Sequence, residues 1–169
     1  MIAMKEAYIF RQAKKEELDR IFALIKSRMA WMDEIGVRLW NATKYDERYP
    51  LQYYEMRRQQ GELFVLAEAE TGKILCVGGL MREDDRWTDG TPALYLHHFA
   101  SRTDSKGAGS IFIQKAEEYA ASLGVEYMRL DSAIGNEKLE YYYGSRGYVP
   151  VGACKDGLYE GILRQKKLK

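Results

Sequence analysis

A chain of 169 residues with 46% hydrophobic and 30% charged side chains suits one domain, residues 1–169, and argues against disorder. Lys plus Arg number 26 against 25 Asp plus Glu, a net charge of +1, less positive than a general nucleic-acid binder would carry. The strongly apolar stretches, such as 74–81, are far shorter than the roughly 20 residues of a membrane span, and a domain of this size buries roughly 70% of its unfolded surface, enough to stand without disulfides or a structural metal.

The opening residues, MIAMKEAY, have no apolar core and no small-residue cleavage site, so no signal peptide is expected. Residues 8–12 read as a short strand. A helix is predicted over 14–34, with Leu18, Ile21, Phe22, Ile25 and Met29 at steps of three and four, and Gly36 interrupts it. Residues 37–50 are irregular and rich in aromatics. A second helix is predicted over 51–60, ended by Gly61. The period then changes: 63–69 and 74–80 flank the turn at 70–73 and read as a hairpin. After a polar loop at 82–92 come a strand at 93–100, a helix at 107–123 stopped by Gly124, a strand at 125–131, and a short helix at 136–146 ended by Gly147. Residues 148–154 and 158–164 form a second hairpin around Lys155-Asp156-Gly157. The order predicts one mixed sheet with helices on both faces. The unit from 93 to 131 is a βαβ crossover, so its strands should be parallel. No internal repeat, low-complexity tract or linker stands out.

The chain has two cysteines, Cys76 and Cys154, and two histidines, His97 and His98. These offer no metal-ligand cluster of recognisable spacing. Each cysteine sits in an apolar strand-like segment, where a buried inert thiol is the expected state. Few cysteines and no export signal favour a reducing, cytoplasmic setting.

The most informative segment runs from Leu96 to Ser110. An apolar strand enters a short polar loop, and Gly107 and Gly109 then open a helix. Such a helix start offers unpaired backbone N–H groups and the positive end of the macrodipole. The glycines allow close approach, and Lys106 and Ser110 add a charge and a hydroxyl. This is a phosphate site in the general sense. It is neither a Walker A loop nor a Rossmann GxGxxG. Ser105 as a helix cap, with glycines for close packing, is the alternative reading.

A second segment, Asn136 to Tyr148, follows the second parallel strand directly. Together the two resemble the GNAT superfamily of acyl-CoA-dependent N-acyltransferases. That family has an Asn opening a short helix, a Tyr seven residues on, then Gly-aromatic at the next strand, matched by Asn136, Tyr143, Gly147 and Tyr148. Its cofactor loop reads Arg/Gln-x-x-Gly-x-Gly/Ala. Gly107 and Gly109 match, whereas Asp104 occupies the Arg/Gln position. A carboxylate there would repel a pyrophosphate, so Asp104 is expected to point outward and Lys106 to supply the cation.

The resemblance implies the acyl-CoA N-acyltransferase fold, an α/β (α+β) architecture with a single mixed, mostly antiparallel sheet and a central splayed parallel strand pair. It implies acetyl-CoA as cofactor, with pantetheine on the backbone of Phe99, Ala100 and Ser101. The pyrophosphate would lie on the amides of Lys106, Gly107, Ala108, Gly109 and Ser110, and Asn136 and Tyr143 complete the cofactor set. Tyr143 would face the sulfur and protonate the leaving thiolate, an apt role for a phenol that keeps its proton at neutral pH. The competing role is a packed tyrosine like Tyr141 or Tyr142.

An amine of pKa near 10 is only about one part in a thousand neutral at pH 7, so a base assists attack. His97 and His98 are the only side chains with unperturbed pKa values near neutrality. Adjacent strand residues face opposite ways. If Ser101 aligns with the family's last strand residue, His97 lies four residues before it, where several members carry a Glu or His base. His97 is thus expected to face the acceptor cleft, although a β-bulge would invert this. Tyr143 and His97 are the expected catalytic residues, with no metal. The acceptor site is expected from Trp31, Trp40, Tyr45, Tyr49, Tyr53 and Tyr54, interleaved with Asp33, Glu34, Asp46 and Glu47; a lid packed on the core is the other reading. Trp87 would close the other side.

The expected function is direct acetyl transfer to a primary amine, since no cysteine falls in the motif segments. The expected partner is a small-molecule amine acceptor, with no nucleic acid and no membrane, and a homodimer stays open. The alternatives are a protein N-terminal or lysine acetyltransferase, and a non-catalytic CoA-binding or sensor domain.

Overall fold

The structure, a computed structural model, describes residues 7–168, so most of the segment read for a signal peptide lies outside it. The elements in chain order are β1 (Tyr8–Gln12), a 3-10 turn (Lys15–Glu17), α1 (Leu18–Ile35), α2 (Tyr45–Arg48), α3 (Leu51–Gln59), β2 (Leu63–Glu68), β3 (Ile74–Met81), β4 (Ala93–Ser101), α4 (Ala108–Ser122), β5 (Tyr127–Ala133), α5 (Glu137–Gly144), β6 (Val149–Asp156) and β7 (Tyr159–Lys167). The strands form a seven-stranded sheet in the order β1-β2-β3-β4-β5-β7-β6. β4 and β5 run parallel, pairing Ala93–Tyr95 with Tyr127–Arg129. β4 continues to Ser101 past these pairs, while β5 pairs antiparallel with β7 as far as Ala133↔Gly161. No helix among the described residues is long and apolar enough to cross a membrane.

The packing divides into two compact units. One runs to Gly79 and takes in His98–Lys115; the other holds Leu80–His97 and the chain from Ala116 onward. In the first, the periodic face of α1 (Leu18, Ile21, Leu24, Ile25) and Tyr54 of α3 pack on Leu63, Val65, Ile74, Val77 and Ala100. Alternation along β2 sends Phe64 the other way, where it stacks on Phe10 at 5.2 Å. Phe112 of α4 meets Phe10 edge-on at 5.3 Å, so this part of the sheet has helices on both faces. Glu17 ties the start of α1 to β1. Its carboxylate takes two hydrogen bonds of 2.8 Å from the Arg11 guanidinium and one of 2.8 Å from the Lys14 backbone N–H.

In the second unit, Arg129 on β5 is buried. Its guanidinium donates to both Asp89 oxygens, at 2.9 and 2.6 Å, and to Tyr95 Oη at 3.2 Å. It also lies 4.3 Å from the Trp87 ring centre. Trp87, expected at the rim of a cleft, is thus packed against Arg129 and the Met81, Ala93 and Tyr95 cluster, and it anchors the 82–92 loop.

The structure departs from the expected elements at several points. α2 is a four-residue helix inside a stretch expected to be irregular. β5 starts two residues later than expected and runs on to Ala133, because its ladder with β7 carries Ser132 and Ala133. The second hairpin turns at Gly157 and Leu158, since Asp156 still pairs with Tyr159.

Glu17 yields a stability prediction. The hydrogen bond from Arg11 outweighs burial, which opposes ionisation, and the Lys14 N–H adds to it, so the Glu17 pKa is lowered. A lowered carboxylate contributes stability above its unfolded pKa and loses it as pH falls through the folded value. Glu17→Gln should cost about 2 kcal/mol at pH 7, and the difference from wild type should shrink on acidification. Urea unfolding at pH 7 and pH 3 measures both; a cost that does not change with pH would show that charge plays no part.

Candidate functional site

The loop from β4 to α4 is built around one unusual backbone. Gly107 has φ +85°, and a Cβ placed there would meet nothing within 4 Å. The conformation favours glycine, and the space beside it is open. Ala108 is buried and pins the first turn of α4, while Lys106 and Gly107 are exposed. The first amides of this fifteen-residue helix project from its positive end. Asp104 is exposed and accepts both Arg102 nitrogens at 2.9 Å. The Arg102 guanidinium holds its pKa down to about 2. The offending carboxylate is thus met by a cation within its own loop, and the loop fits an anionic pyrophosphate. Phe99 packs on Phe112 at 5.6 Å, Ala100 lies in the core, and Ser101 is half-buried at the strand's end.

His98 corrects the expectation from strand parity. Its φ is +54°, a left-handed conformation that few non-glycine residues adopt, so the simple alternation of β4 breaks there. Contacts, not parity, now distinguish the two histidines. His98 Nδ1 is hydrogen-bonded to the Tyr45 hydroxyl and Nε2 to the Tyr53 hydroxyl at 2.8 Å, which in turn accepts from Arg57 Nε at 3.0 Å. Tyr49 and Tyr54 meet the imidazole edge-on at 4.7 and 5.5 Å. Burial pushes the Tyr53 phenol pKa up despite Arg57. Trp40 stacks on Tyr45 at 4.3 Å. Most of the aromatics expected to line an acceptor site therefore pack around His98 and the core. Trp31 is instead covered by Arg28 at 4.1 Å, and Asp33 accepts from Asn41 at 2.7 Å. Glu34 and Glu47 are exposed and Asp46 is half-buried.

His97, in the second unit, has different company. Its Nε2 lies 2.7 Å from Asp84 Oδ2. Asp84 Oδ1 accepts the Arg86 backbone N–H at 2.9 Å. Burial opposes ionisation of Asp84, but the bonds from His97 and the Arg86 backbone outweigh it and lower its pKa. The Arg86 guanidinium lies 3.8 Å from Asp131 and 3.2 Å from Asp156, and the Tyr159 hydroxyl donates to Asp131 at 2.6 Å. The ligand atoms of Asp84, His97 and Asp131 fall within 4.8 Å of one another, a spacing that would suit a cation. Arg86 already supplies positive charge beside Asp131. Asp84, Arg86, Asp131 and Tyr159 were not expected from the sequence. The one hint was Asp84 two residues before Arg86, an aspartate poised to fold its own loop.

Tyr143, on α5, is buried. Its ring lies 5.2 Å from that of Tyr142 and 6.1 Å from that of Tyr148, both edge-on. Asn136 caps the helix, its side-chain oxygen accepting from Leu139 N–H at 3.2 Å. Gly147, at φ +91°, makes the turn into β6 that lets Tyr148 N–H return to the Tyr143 carbonyl at 3.1 Å. Cys76 is buried, and burial raises its thiol pKa. Cys154 is only half-buried, less enclosed than expected, and burial raises its pKa as well.

Residues 25–148 match the model of the Acetyltransferase (GNAT) family. The chain belongs to that family of N-acetyltransferases, whose acetyl donor is acetyl-CoA. Solved structures share the fold along nearly the whole chain. A GNAT-family acetyltransferase from Listeria monocytogenes is 24% identical, with TM-score 0.79 over 95% of each chain. One from Streptococcus agalactiae is 18% identical, with TM-score 0.81 over 98% of each. The PaiA N-acetyltransferase from Thermoplasma acidophilum, in complex with coenzyme A, is 15% identical, with TM-score 0.71 over 97% of this chain and 99% of that one. No curated protein matches the sequence.

Proposed function

We propose that residues 1–169 form one cytoplasmic acetyltransferase domain that transfers acetyl directly from acetyl-CoA to a primary amine of a small molecule. The observation that carries the reading is Tyr143, buried and ring-packed on a helix capped by Asn136, in the register the family uses for its proton donor. Direct transfer is supported by the cysteines, because neither lies in the α4 loop or on α5.

When bound, acetyl-CoA supplies a thioester whose carbonyl carbon an amine attacks, forming C–N and breaking C–S. In this reading the amides of Lys106 to Ser110, with the Lys106 ammonium, hold the pyrophosphate, and the backbone of Phe99 to Ser101 holds the pantetheine. Asn136 secures the helix that carries Tyr143. His97 accepts one proton from the substrate ammonium and passes it to solvent. Tyr143 gives its proton to the sulfur and recovers one from the nitrogen, which loses its second proton on becoming an amide. One ammonium and one thioester thus become one amide, one thiol and one released proton.

Gly109→Glu tests the cofactor loop. A bulky anion at the helix start should remove about two charge-assisted hydrogen bonds to the pyrophosphate, or about 10²-fold in acetyl-CoA affinity by calorimetry. The far-ultraviolet circular dichroism should not change. Wild-type affinity would take this loop out of the site. The acceptor is tested with a panel of small amines, peptides with free N-termini and lysine peptides. Turnover on peptides alone would replace the small-molecule reading, and binding of acetyl-CoA with no turnover on any of them would favour a sensor.

A further inference from the structure

The Asp84–His97 contact carries more than a salt bridge. Asp84 is held at both oxygens, one by His97 Nε2 at 2.7 Å and the other by the Arg86 backbone N–H at 2.9 Å. Its side chain is only 4% exposed, and that of His97 17%. An ionised carboxylate is an acceptor only, so the proton between the two sits on Nε2. A neutral imidazole with that proton carries its basic lone pair on Nδ1. Charged groups of the same unit near the pair include Arg86 and Asp131. Asp131 also binds Tyr159, and Arg86 also reaches Asp156. A carboxylate behind an imidazole fixes the tautomer, orients the ring and stabilises the cation formed when the ring takes a proton.

We propose that Asp84 is a positioning residue for acetyl transfer, holding His97 as the Nε2–H tautomer so that Nδ1 receives the proton of the acceptor amine. The inference rests on the reading of His97 as the base. In the step, one N–H bond of the substrate ammonium breaks and one forms at Nδ1. The ring becomes an imidazolium hydrogen-bonded to Asp84, which stays ionised, and the proton then leaves to solvent. The neutral amine keeps the electron pair with which it attacks.

The test is nitrogen-15 NMR of the histidine rings at pH 8, beside kinetics. The chain has two histidines, so a His98→Asn sample assigns both. The wild type should show His97 as Nε2–H; an Nδ1–H signal there overturns the proposal at once. In Asp84→Asn the oxygen can keep the Arg86 N–H, which turns the amide N–H₂ towards the ring and should switch His97 to Nδ1–H. Turnover should fall by about 10²-fold or more, with KM for acetyl-CoA little changed. Asp84→Glu, which restores a carboxylate, should recover the Nε2–H tautomer and part of the rate, and serves if the Asn variant does not fold. A switched tautomer with wild-type turnover, or an unchanged tautomer with wild-type turnover, overturns the role of Asp84. His97→Ala separates the two layers. If it retains wild-type turnover, the base reading fails and the proposal with it. If it loses activity while Asp84→Asn does not, only the positioning role fails.

Discussion

Tyr143→Phe is expected to turn over about 10²-fold or more slowly than the wild type, with acetyl-CoA affinity little changed. The substitution deletes one hydroxyl and nothing else. Tyr143 is 8% exposed, and its contacts include the edges of the Tyr142 and Tyr148 rings, which phenylalanine keeps. Without the hydroxyl, the sulfur would have to leave as a bare thiolate or take its proton from water, and the barrier rises at the step where C–S breaks. Product release can mask a change in chemistry, so the measurement is a single-turnover rate with enzyme in excess. A wild-type rate there reduces Tyr143 to a packing residue.

The second large effect is expected at His97. A base must be neutral to work, so kcat/KM should rise with pH through one limb and level off above it. Two acceptors of different amine pKa separate this limb from the ionisation of the substrate. His97→Ala should remove the limb and cost about 10²- to 10⁴-fold. It also strips Asp84 of a partner, so His97→Gln, which can still donate an N–H to Asp84, shows that the loss is not one of folding. The control is His98→Asn, since asparagine tolerates the left-handed backbone, and the limb should persist in it. A limb that disappears in His98→Asn and survives in His97→Ala would move the base to His98.

The elements that sequence periodicity could reveal were those with a long, one-sided apolar pattern. α1 and α4 repeat apolar residues every three to four positions, and β2 and β3 are bounded by a clear turn. α2 was hidden because four residues make barely one turn, too short for a period. The end of β5 was hidden because Ser132 and Ala133 have little strand preference of their own, and it is pairing with Ile162 and Gly161 that extends them. In the candidate site, the glycine-opened helix and the Asn136-to-Tyr143 register are local features that the chain itself displays. The surroundings of the histidines are not. Asp84 reaches His97 across thirteen positions, and Tyr45 and Tyr53 reach His98 across 53 and 45. The strand alternation used to separate the two histidines assumes ordinary extended φ values, and the positive φ of His98 removes that assumption.

That φ also limits which side chains position 98 can accept. β-branched residues are barred by the backbone, and alanine would carry a left-handed penalty of about 1–2 kcal/mol. Glycine would relax the chain but abandon two tyrosine hydroxyls in an aromatic cluster. An asparagine satisfies the backbone and is too short to span both hydroxyls as the ring does. Histidine is one of the few residues that meet both demands, so drift at this position among descendants of the chain should be coupled to change at Tyr45 and Tyr53, and the three should be inherited as a block.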